Sequence, residues 1–185
     1  MNQNLLQRRS QALGPAYRLF YDQPVHLVRG EGVWLFDAGG KRYLDCYNNV
    51  ASVGHCHPHV VAELSRQAAT LNTHTRYLHE GVVAYAERLG ATLPGELSVC
   101  MFVCTGTEAN DLAVRIARAV TGHEGLIVTE DAYHGNSTAV YEMSTEEYPA
   151  AERPAYLEAV EAPCTYRGPF REPGRPFQFR SLDGP

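Results

Sequence analysis

The stretch LSVCMFVCTGTEANDLAVRIARAVTGHEGLIVT, residues 97–129, decides the fold class of this 185-residue chain. It opens with an almost continuous apolar run over residues 97–104, which has the length of a strand buried on both faces. A strongly apolar helix follows, and Gly122 is placed to end it. Leu126–Thr129 is the next short buried strand. This β-α-β order predicts an α/β fold with a mainly parallel sheet.

A β-hairpin is predicted before this unit. Residues 33–36 are β-prone, residues 37–40 form a Gly-rich turn, and Lys41–Cys46 return as a second strand. Lys41, the only lysine of the chain, is therefore expected at the exit of the turn with a solvated side chain.

Three regions follow from these patterns. An N-terminal segment with the hairpin spans 1–56, and an α/β region with helices from Pro58 and over about 82–93 spans 57–148. Residues 149–185 hold seven of the 11 prolines. We expect an irregular Pro-rich surface segment there, not another layer of the sheet.

Composition excludes several classes of protein. The chain has 21 acidic and 16 basic residues, with 44% hydrophobic and 20% charged, which is typical of a soluble globular domain. The negative net charge argues against a nucleic-acid partner, and no apolar run reaches the roughly 20 residues of a membrane span. Five irregularly spaced cysteines without a secretory signal pattern predict a cytoplasmic location. Cys100 and Cys104 are expected to be buried thiols.

The turn Thr105-Gly106-Thr107 joins the first buried strand to the helix. A helix N-terminus presents unpaired N–H groups and a positive dipole end, and Gly106 leaves room for an anion to approach. The turn therefore suits a phosphate group. It is equally consistent with Thr105 or Thr107 as an N-cap and Glu108 in the first turn, and it matches neither a Walker loop nor G-x-G-x-x-G.

A second candidate segment, Asp131–Asn136, follows the next strand. Loops at the carboxyl ends of parallel strands gather at one edge of a sheet, so this segment and the 105–107 turn are expected to meet. Tyr133 could stack on a flat phosphorylated cofactor while His134 forms a hydrogen bond. The alternative is that Tyr133 is a packed aromatic and His134 a local cap.

Three further sets of residues are candidates for binding a ligand or a metal. Tyr47-Asn48-Asn49 offers amides for a carboxylate or phosphate but also suits an ordinary turn, and Arg76 is either an anion ligand or simply solvated. The cluster 54–59 crowds three His and one Cys together without the second ligand pair of a zinc site. Local hydrogen bonding is favoured there, and no metal is predicted.

Taken in order, these motifs resemble the N-terminal part of the class III, fold-type I, pyridoxal-phosphate-dependent aminotransferases. The resemblance runs from about Tyr21 to Tyr141, and its motifs are 30–37, 40–45, 54–58, 105–110 and 133–135. Segments 45–51 and 72–79 look most like the subgroup of alanine–glyoxylate aminotransferase-like proteins and phospho-lyases of phosphoethanolamine or phosphohydroxylysine.

The resemblance implies roles for residues of this chain. It implies pyridoxal 5'-phosphate as cofactor, with its phosphate on the Gly106 and Thr107 amides and its ring on Tyr133. The residues implied to contact the cofactor are Thr105, Gly106, Thr107, Asn110, Tyr133 and His134. The residues implied to face the substrate are Tyr47, Asn48, Asn49 and Arg76. It also implies a homodimer, with 57–148 as the start of the cofactor-binding large domain.

The resemblance implies a reaction as well. Transfer of an amino group from an amino acid or amine to a 2-oxo acid is the leading prediction, with phosphate elimination from a phosphorylated amino alcohol as the alternative. In the family, the lysine that forms the Schiff base and the aspartate on the pyridine nitrogen lie further along, beyond Pro185. We therefore expect the chain to be an N-terminal fragment that is inactive alone, or else a non-catalytic remnant.

Overall fold

The computed structural model describes residues 3–48, 51–164 and 166. The chain divides into two compact units, Met1–His79 and Glu80–Pro185. The regional boundaries predicted after residues 56 and 148 stay predictions.

The first unit is built on a three-stranded antiparallel sheet in the order β1-β2-β3. Its strands are β1 (Leu27–Glu31), β2 (Trp34–Asp37) and β3 (Arg42–Leu44). Strands β2 and β3 form the predicted hairpin, in which Leu35 pairs with Tyr43. The turn closes because Asp37 Oδ1 accepts the N–H groups of residues 39 and 41, each at 2.9 Å. Strand β1 was not predicted.

Two helices complete this unit, α1 (Gln3–Leu13) and α2 (Pro58–Thr70). Helix α2 begins at its proline, as predicted, because a first-turn residue needs no intrahelical N–H partner. Lys41 is exposed, as predicted, and its Nζ lies 4.8 Å from the centroid of the Tyr43 ring.

The second unit pairs two parallel strands, β4 (Leu126–Thr129) and β5 (Leu157–Val160). Its helices are α3 (Glu80–Gly90), α4 (Gly106–Thr121), the short α5 (Thr138–Tyr141) and a 3-10 turn at Ala150–Glu152. The core lies where α4 meets the two strands, and it contains Val114, Val128, Met143 and Leu157. Gly122 ends α4 in the left-handed conformation, as predicted.

Three predictions were wrong in this unit. Residues 97–104 form no strand, since none of the described residues pairs with them, and Val99 in their middle is 90% exposed. Accordingly, Cys104 is exposed and Cys100 only half-buried, rather than buried thiols. Residues 157–160 lie in the region expected to be irregular, yet they form β5, because Leu157 joins the core and the backbone pairs with β4.

The α/β fold class is confirmed, because helices accompany a parallel strand pair. Among the described residues, no helix is both long and apolar enough to cross a membrane.

Candidate cofactor site

The N-terminus of α4 is closed by a capping box. Thr105 has an extended backbone, and its Oγ1 accepts the Glu108 N–H at 3.1 Å. The Glu108 carboxylate accepts the N–H groups of Cys104 at 2.7 Å and Thr105 at 3.2 Å. The N-cap interpretation of Thr105 is therefore confirmed, and it accounts for three of the amide donors at this helix end.

Two amides remain beyond the capping box. The N–H groups of Gly106 and Thr107, termed here the amide pair, meet no acceptor among the described residues. Gly106 is exposed, and a Cβ built on it would meet no atom within 4 Å, so this end of the helix has open space around the glycine. Two free donors at the positive end of a 16-residue helix form a site suited to an anion.

The second predicted segment, residues 131–136, is termed the aromatic loop and lies against α4. The Asn136 N–H donates to Thr107 Oγ1 at 3.3 Å, and Asn110 Nδ2 donates to the His134 carbonyl at 2.8 Å. The expectation that the two segments meet is confirmed.

Gly135 makes this close approach possible. Its φ is +138°, which a residue with a side chain rarely adopts, and a Cβ there would lie 2.4 Å from Thr107 Oγ1 and 2.8 Å from Thr107 Cα. The sequence marks Gly135 only as part of a motif, yet this glycine decides how closely the aromatic loop packs on the helix.

Tyr133 and His134 present different groups from this loop. The Tyr133 side chain is 53% exposed, and its O–H donates to Asn136 Oδ1 at 3.0 Å. His134 Nε2 is buried and has no hydrogen-bond partner among the described residues. The loop thus combines an accessible aromatic face with a ring nitrogen that lacks a partner.

Two buried hydroxyls that the sequence analysis missed support the aromatic loop. The Ala132 N–H donates to Thr145 Oγ1 at 3.0 Å, and the His134 N–H donates to Ser144 Oγ at 2.9 Å. Nothing in the sequence marks this pair, because Ser and Thr after a short helix are ordinary and only the tertiary fold brings them to the loop.

The substrate-facing candidates lie in the first unit. Tyr47 is 69% exposed and packs edge-on against Phe20 at 5.2 Å between ring centroids. Tyr47 and Asn48 line an open groove of about 840 Å³. Arg76 is exposed, and its guanidinium forms no ion pair with any described residue. Asn49 lies outside the described residues.

Asp45 organises the segment that carries Tyr47 and Asn48. Its Oδ1 accepts the N–H groups of both residues, at 3.1 and 2.9 Å, and the Asn48 side-chain amide at 3.0 Å. Its Oδ2 lies 2.6 Å from His55 Nε2. The bond from the Asn48 N–H, followed by the contact with His55, lowers the pKa of the Asp45 carboxyl well below its usual range.

His55 is thereby held by local contacts within the first unit, as the favoured interpretation of this cluster predicted. Its backbone pairs with Gly32, and a Cβ on Gly30 would lie 2.8 Å from its ring. In the part of the chain that the structure describes, no three His, Cys, Asp or Glu residues are grouped so as to hold a metal ion.

Comparison with known proteins identifies the family. The family model for class-III aminotransferases matches residues 19–171. The chain belongs to the class III aminotransferases. The resemblance predicted from the sequence, to this pyridoxal-phosphate-dependent family, is confirmed.

Individual relatives carry two kinds of name. The chain is 45% identical to "Alanine--glyoxylate aminotransferase 2-like" of Drosophila melanogaster, over 89% of this chain and 34% of that protein. It is 37% identical to "Ethanolamine-phosphate phospho-lyase homolog 1" of Caenorhabditis elegans, over 91% of this chain and 37% of that protein. The chain thus spans about a third of the length of these relatives.

A solved phospholyase structure is also similar to this chain. The chain is 46% identical to a phospholyase from Arthrobacter in complex with phosphoethanolamine, with a TM-score of 0.79, over 86% of this chain and 38% of that one.

Proposed function

We propose that this chain supplies the phosphate site and the aromatic platform for pyridoxal 5'-phosphate in a class III enzyme. The observation that carries the proposal is the amide pair of Gly106 and Thr107, without an acceptor among the described residues, beside the exposed ring of Tyr133. A doubly charged phosphate matches two amides at a helix N-terminus, and a flat pyridine ring matches an aromatic face.

The residues present fit this cofactor. The open space over Gly106 admits a phosphate oxygen, and the unpartnered Nε2 of His134 gains a partner if a polar group of the cofactor lies against it. Thr105 and Asn110 support the site indirectly, by capping α4 and by holding the His134 carbonyl. Direct contact of these two with the cofactor remains a prediction.

Each part of the site has a separate task. The amide pair holds and orients the phosphate, and Tyr133 holds the ring plane. Bound pyridoxal phosphate supplies the electron sink for reactions at the amino-bearing carbon of a substrate.

The first test distinguishes the effect of losing the Gly106 N–H from the effect of adding side-chain atoms at this position. Gly106→Pro replaces the N–H by a ring carbon, and α4 should still form because proline is tolerated at the first position of a helix and the extended Thr105 suits a following proline. Gly106→Ala keeps the N–H and adds a Cβ in open space. Loss of one hydrogen bond to a charged group predicts an affinity for pyridoxal phosphate weaker by roughly tenfold or more in the proline variant.

Isothermal titration with pyridoxal phosphate, and with pyridoxal as the comparison lacking the phosphate, measures this effect. The alanine variant is expected to match the wild type. Equal affinities of all three proteins for pyridoxal phosphate would refute the phosphate site.

For the reaction, amino transfer to a 2-oxo acid is the proposal that the family name supports, and it is our leading prediction from the sequence. A second candidate is favoured by a specific observation: a phospholyase in complex with phosphoethanolamine is 46% identical to this chain. Such a reaction converts a phosphorylated amino alcohol and water into a carbonyl compound, ammonia and phosphate.

The residues proposed to face the substrate are Tyr47, Asn48, Asn49 and Arg76. The unpaired guanidinium of Arg76 suits a carboxylate or phosphate of the substrate, and Asp45 presents the Tyr47–Asn48 segment. A homodimer and a cytoplasmic location are proposed with the family assignment.

Assays of the expressed gene product distinguish these reactions. Phosphate released from phosphoethanolamine without a 2-oxo acid indicates the phospho-lyase, whereas amino transfer from alanine that requires a 2-oxo acid indicates the transaminase. Neither product, in a protein that still binds pyridoxal phosphate, indicates a non-catalytic remnant. Sequencing the source DNA and its transcript past the codon for Pro185 determines whether the family's later lysine and aspartate follow.

A further inference from the structure

Two neighbouring hydroxyls, Ser144 and Thr145, are termed here the hydroxyl pair and lie beneath the aromatic loop. Ser144 is fully buried and Thr145 is 8% exposed, and they are the two buried polar residues among those described. Burial of a hydroxyl is unfavourable unless it is hydrogen-bonded, so the partners of the pair are informative.

Thr145 uses both of its hydrogen-bonding functions. Its Oγ1 accepts the Ala132 N–H at 3.0 Å, and its O–H donates to the Thr129 carbonyl at 2.8 Å. The hydroxyl proton is donated to the Thr129 carbonyl at the end of β4. A lone pair of the same oxygen therefore accepts the Ala132 N–H of the aromatic loop. The loop is thus fixed to the strand that precedes it.

Ser144 repeats this arrangement two residues further along the loop. Its Oγ accepts the His134 N–H at 2.9 Å, and its O–H donates to the Val140 carbonyl at 3.0 Å. Val140 lies in α5 and is itself fully buried. The loop is thus also fixed to the helix that follows it.

Tyr133 lies between the two amides that the hydroxyl pair binds. The loop forms no helix or strand, so its direction depends on such side-chain contacts. The Tyr133 ring has one hydrogen bond of its own, to an exposed asparagine of the same loop. The hydroxyl pair therefore fixes the backbone on both sides of Tyr133, while the Tyr133 ring stays accessible.

We propose that Ser144 and Thr145 are positioning residues, which hold the Tyr133 ring at the angle that the cofactor ring requires. This inference rests on the proposed binding of pyridoxal phosphate at this loop. It predicts that loss of a hydroxyl weakens ring binding through Tyr133 and leaves the amide pair of α4 unaffected.

A double-mutant cycle tests this prediction. Ser144→Ala is compared with wild type, and the same change is made in a Tyr133→Ala background, with dissociation constants measured for pyridoxal phosphate and for inorganic phosphate. We expect Ser144→Ala to weaken the binding of pyridoxal phosphate roughly tenfold in the wild-type background and to have no effect in the Tyr133→Ala background. Binding of inorganic phosphate should be equal in all four proteins.

Thr145→Val should act like Ser144→Ala, while Thr145→Ser keeps the hydroxyl and should retain wild-type affinity.

Two results would overturn the inference. An equal effect of Ser144→Ala in both backgrounds means that the hydroxyl does not act through Tyr133, and no effect in either background means that the ring needs no such support. If the wild type binds no pyridoxal phosphate, the proposed function fails instead. Ring-proton NMR signals of Tyr133 then decide the positioning role: an unchanged shift and line width in Ser144→Ala would refute it.

Discussion

At the scale of single residues, Gly135 is the position where the site tolerates least change. The contact of its backbone with Thr107 leaves no space for a Cβ, and its φ of +138° is unfavourable for any other residue. Replacement must therefore move the aromatic loop away from α4, strain the backbone, or both.

We predict that Gly135→Ala weakens the attachment of the loop by about 1–3 kcal/mol. Amide exchange of Asn136, whose N–H donates to Thr107, should become at least about fivefold faster, since 1.4 kcal/mol corresponds to a factor of ten. Gly125→Ala is the matched control, because a Cβ there meets no atom within 4 Å. Wild-type exchange in Gly135→Ala would show that the loop adapts without cost.

Asp45 gives a second prediction, for the effect of pH. Its folded pKa is lowered by the Asn48 N–H and by His55, so the ionised form stabilises the fold. That contribution is fully present above the unfolded pKa of about 4 and is lost as the pH falls below it.

Fluorescence of Trp34, the single tryptophan, reports on the sheet next to Asp45. We expect the wild-type signal to change as the pH falls below about 4, and Asp45→Asn to reduce this change because the amide does not titrate. Asp22→Asn, an exposed position outside the network, serves as the control. If Asp22→Asn and Asp45→Asn give the same curve, Asp45 has no special role.

At the scale of the elements, the capping box of α4 governs how the amide pair is presented. Thr105→Ala removes the acceptor for the Glu108 N–H and should cost about 1 kcal/mol. We predict roughly fivefold faster amide exchange in the first turn of α4 and weaker binding of phosphate, because fraying disorders residues 106 and 107.

Thr105→Ser keeps the hydroxyl and should retain both properties. The same exchange rates in Thr105→Ala and Thr105→Ser would show that Glu108 alone closes the helix.

Local patterns in the sequence predicted the elements that depend on local interactions. The hairpin, helix α2 with its initial proline, and α4 with its capping threonine and terminal glycine all follow from turn chemistry and periodicity. The meeting of the two site segments was also predicted, although the strand expected before α4 does not form; hydrogen bonds from Asn110 and Asn136 join the segments instead.

Elements that depend on distant partners were not predictable. Strand β5 follows a proline-containing segment and exists because β4 pairs with it. Conversely, the apolar run 97–104 has the composition of a buried strand but pairs with none of the described residues. The hydroxyl pair was missed for the same reason, because its role depends on a contact with a loop that precedes it in the chain.

At the scale of the whole chain, the residues that the structure describes bury little apolar surface. Among the described residues, the hydrophobic residues classed as buried are Val114, Val128, Val140, Met143 and Leu157. Many others are largely exposed, such as Leu78 and Val99. A cooperative transition needs a larger shared core than this.

We predict that the purified 185-residue chain unfolds over a broad temperature range and binds the apolar dye ANS before heating. Calorimetry and dye fluorescence test this together. A single sharp heat-absorption peak with no dye binding would contradict the prediction, and pyridoxal phosphate should raise the midpoint only if the site described above binds it.

The exposed Lys41 at the hairpin turn has a practical consequence for bioconjugation. Because it is the only lysine of the chain, amine-directed fluorophores attach to no other side chain, and the backbone α-amine is the one other amine that competes for them. The aldehyde of pyridoxal phosphate reacts with the same amine, so borohydride reduction would label the hairpin of the first unit whether or not the α4 site is filled. Lys41→Arg removes this background while keeping the charge, and is therefore the parent protein of choice for every titration with this cofactor.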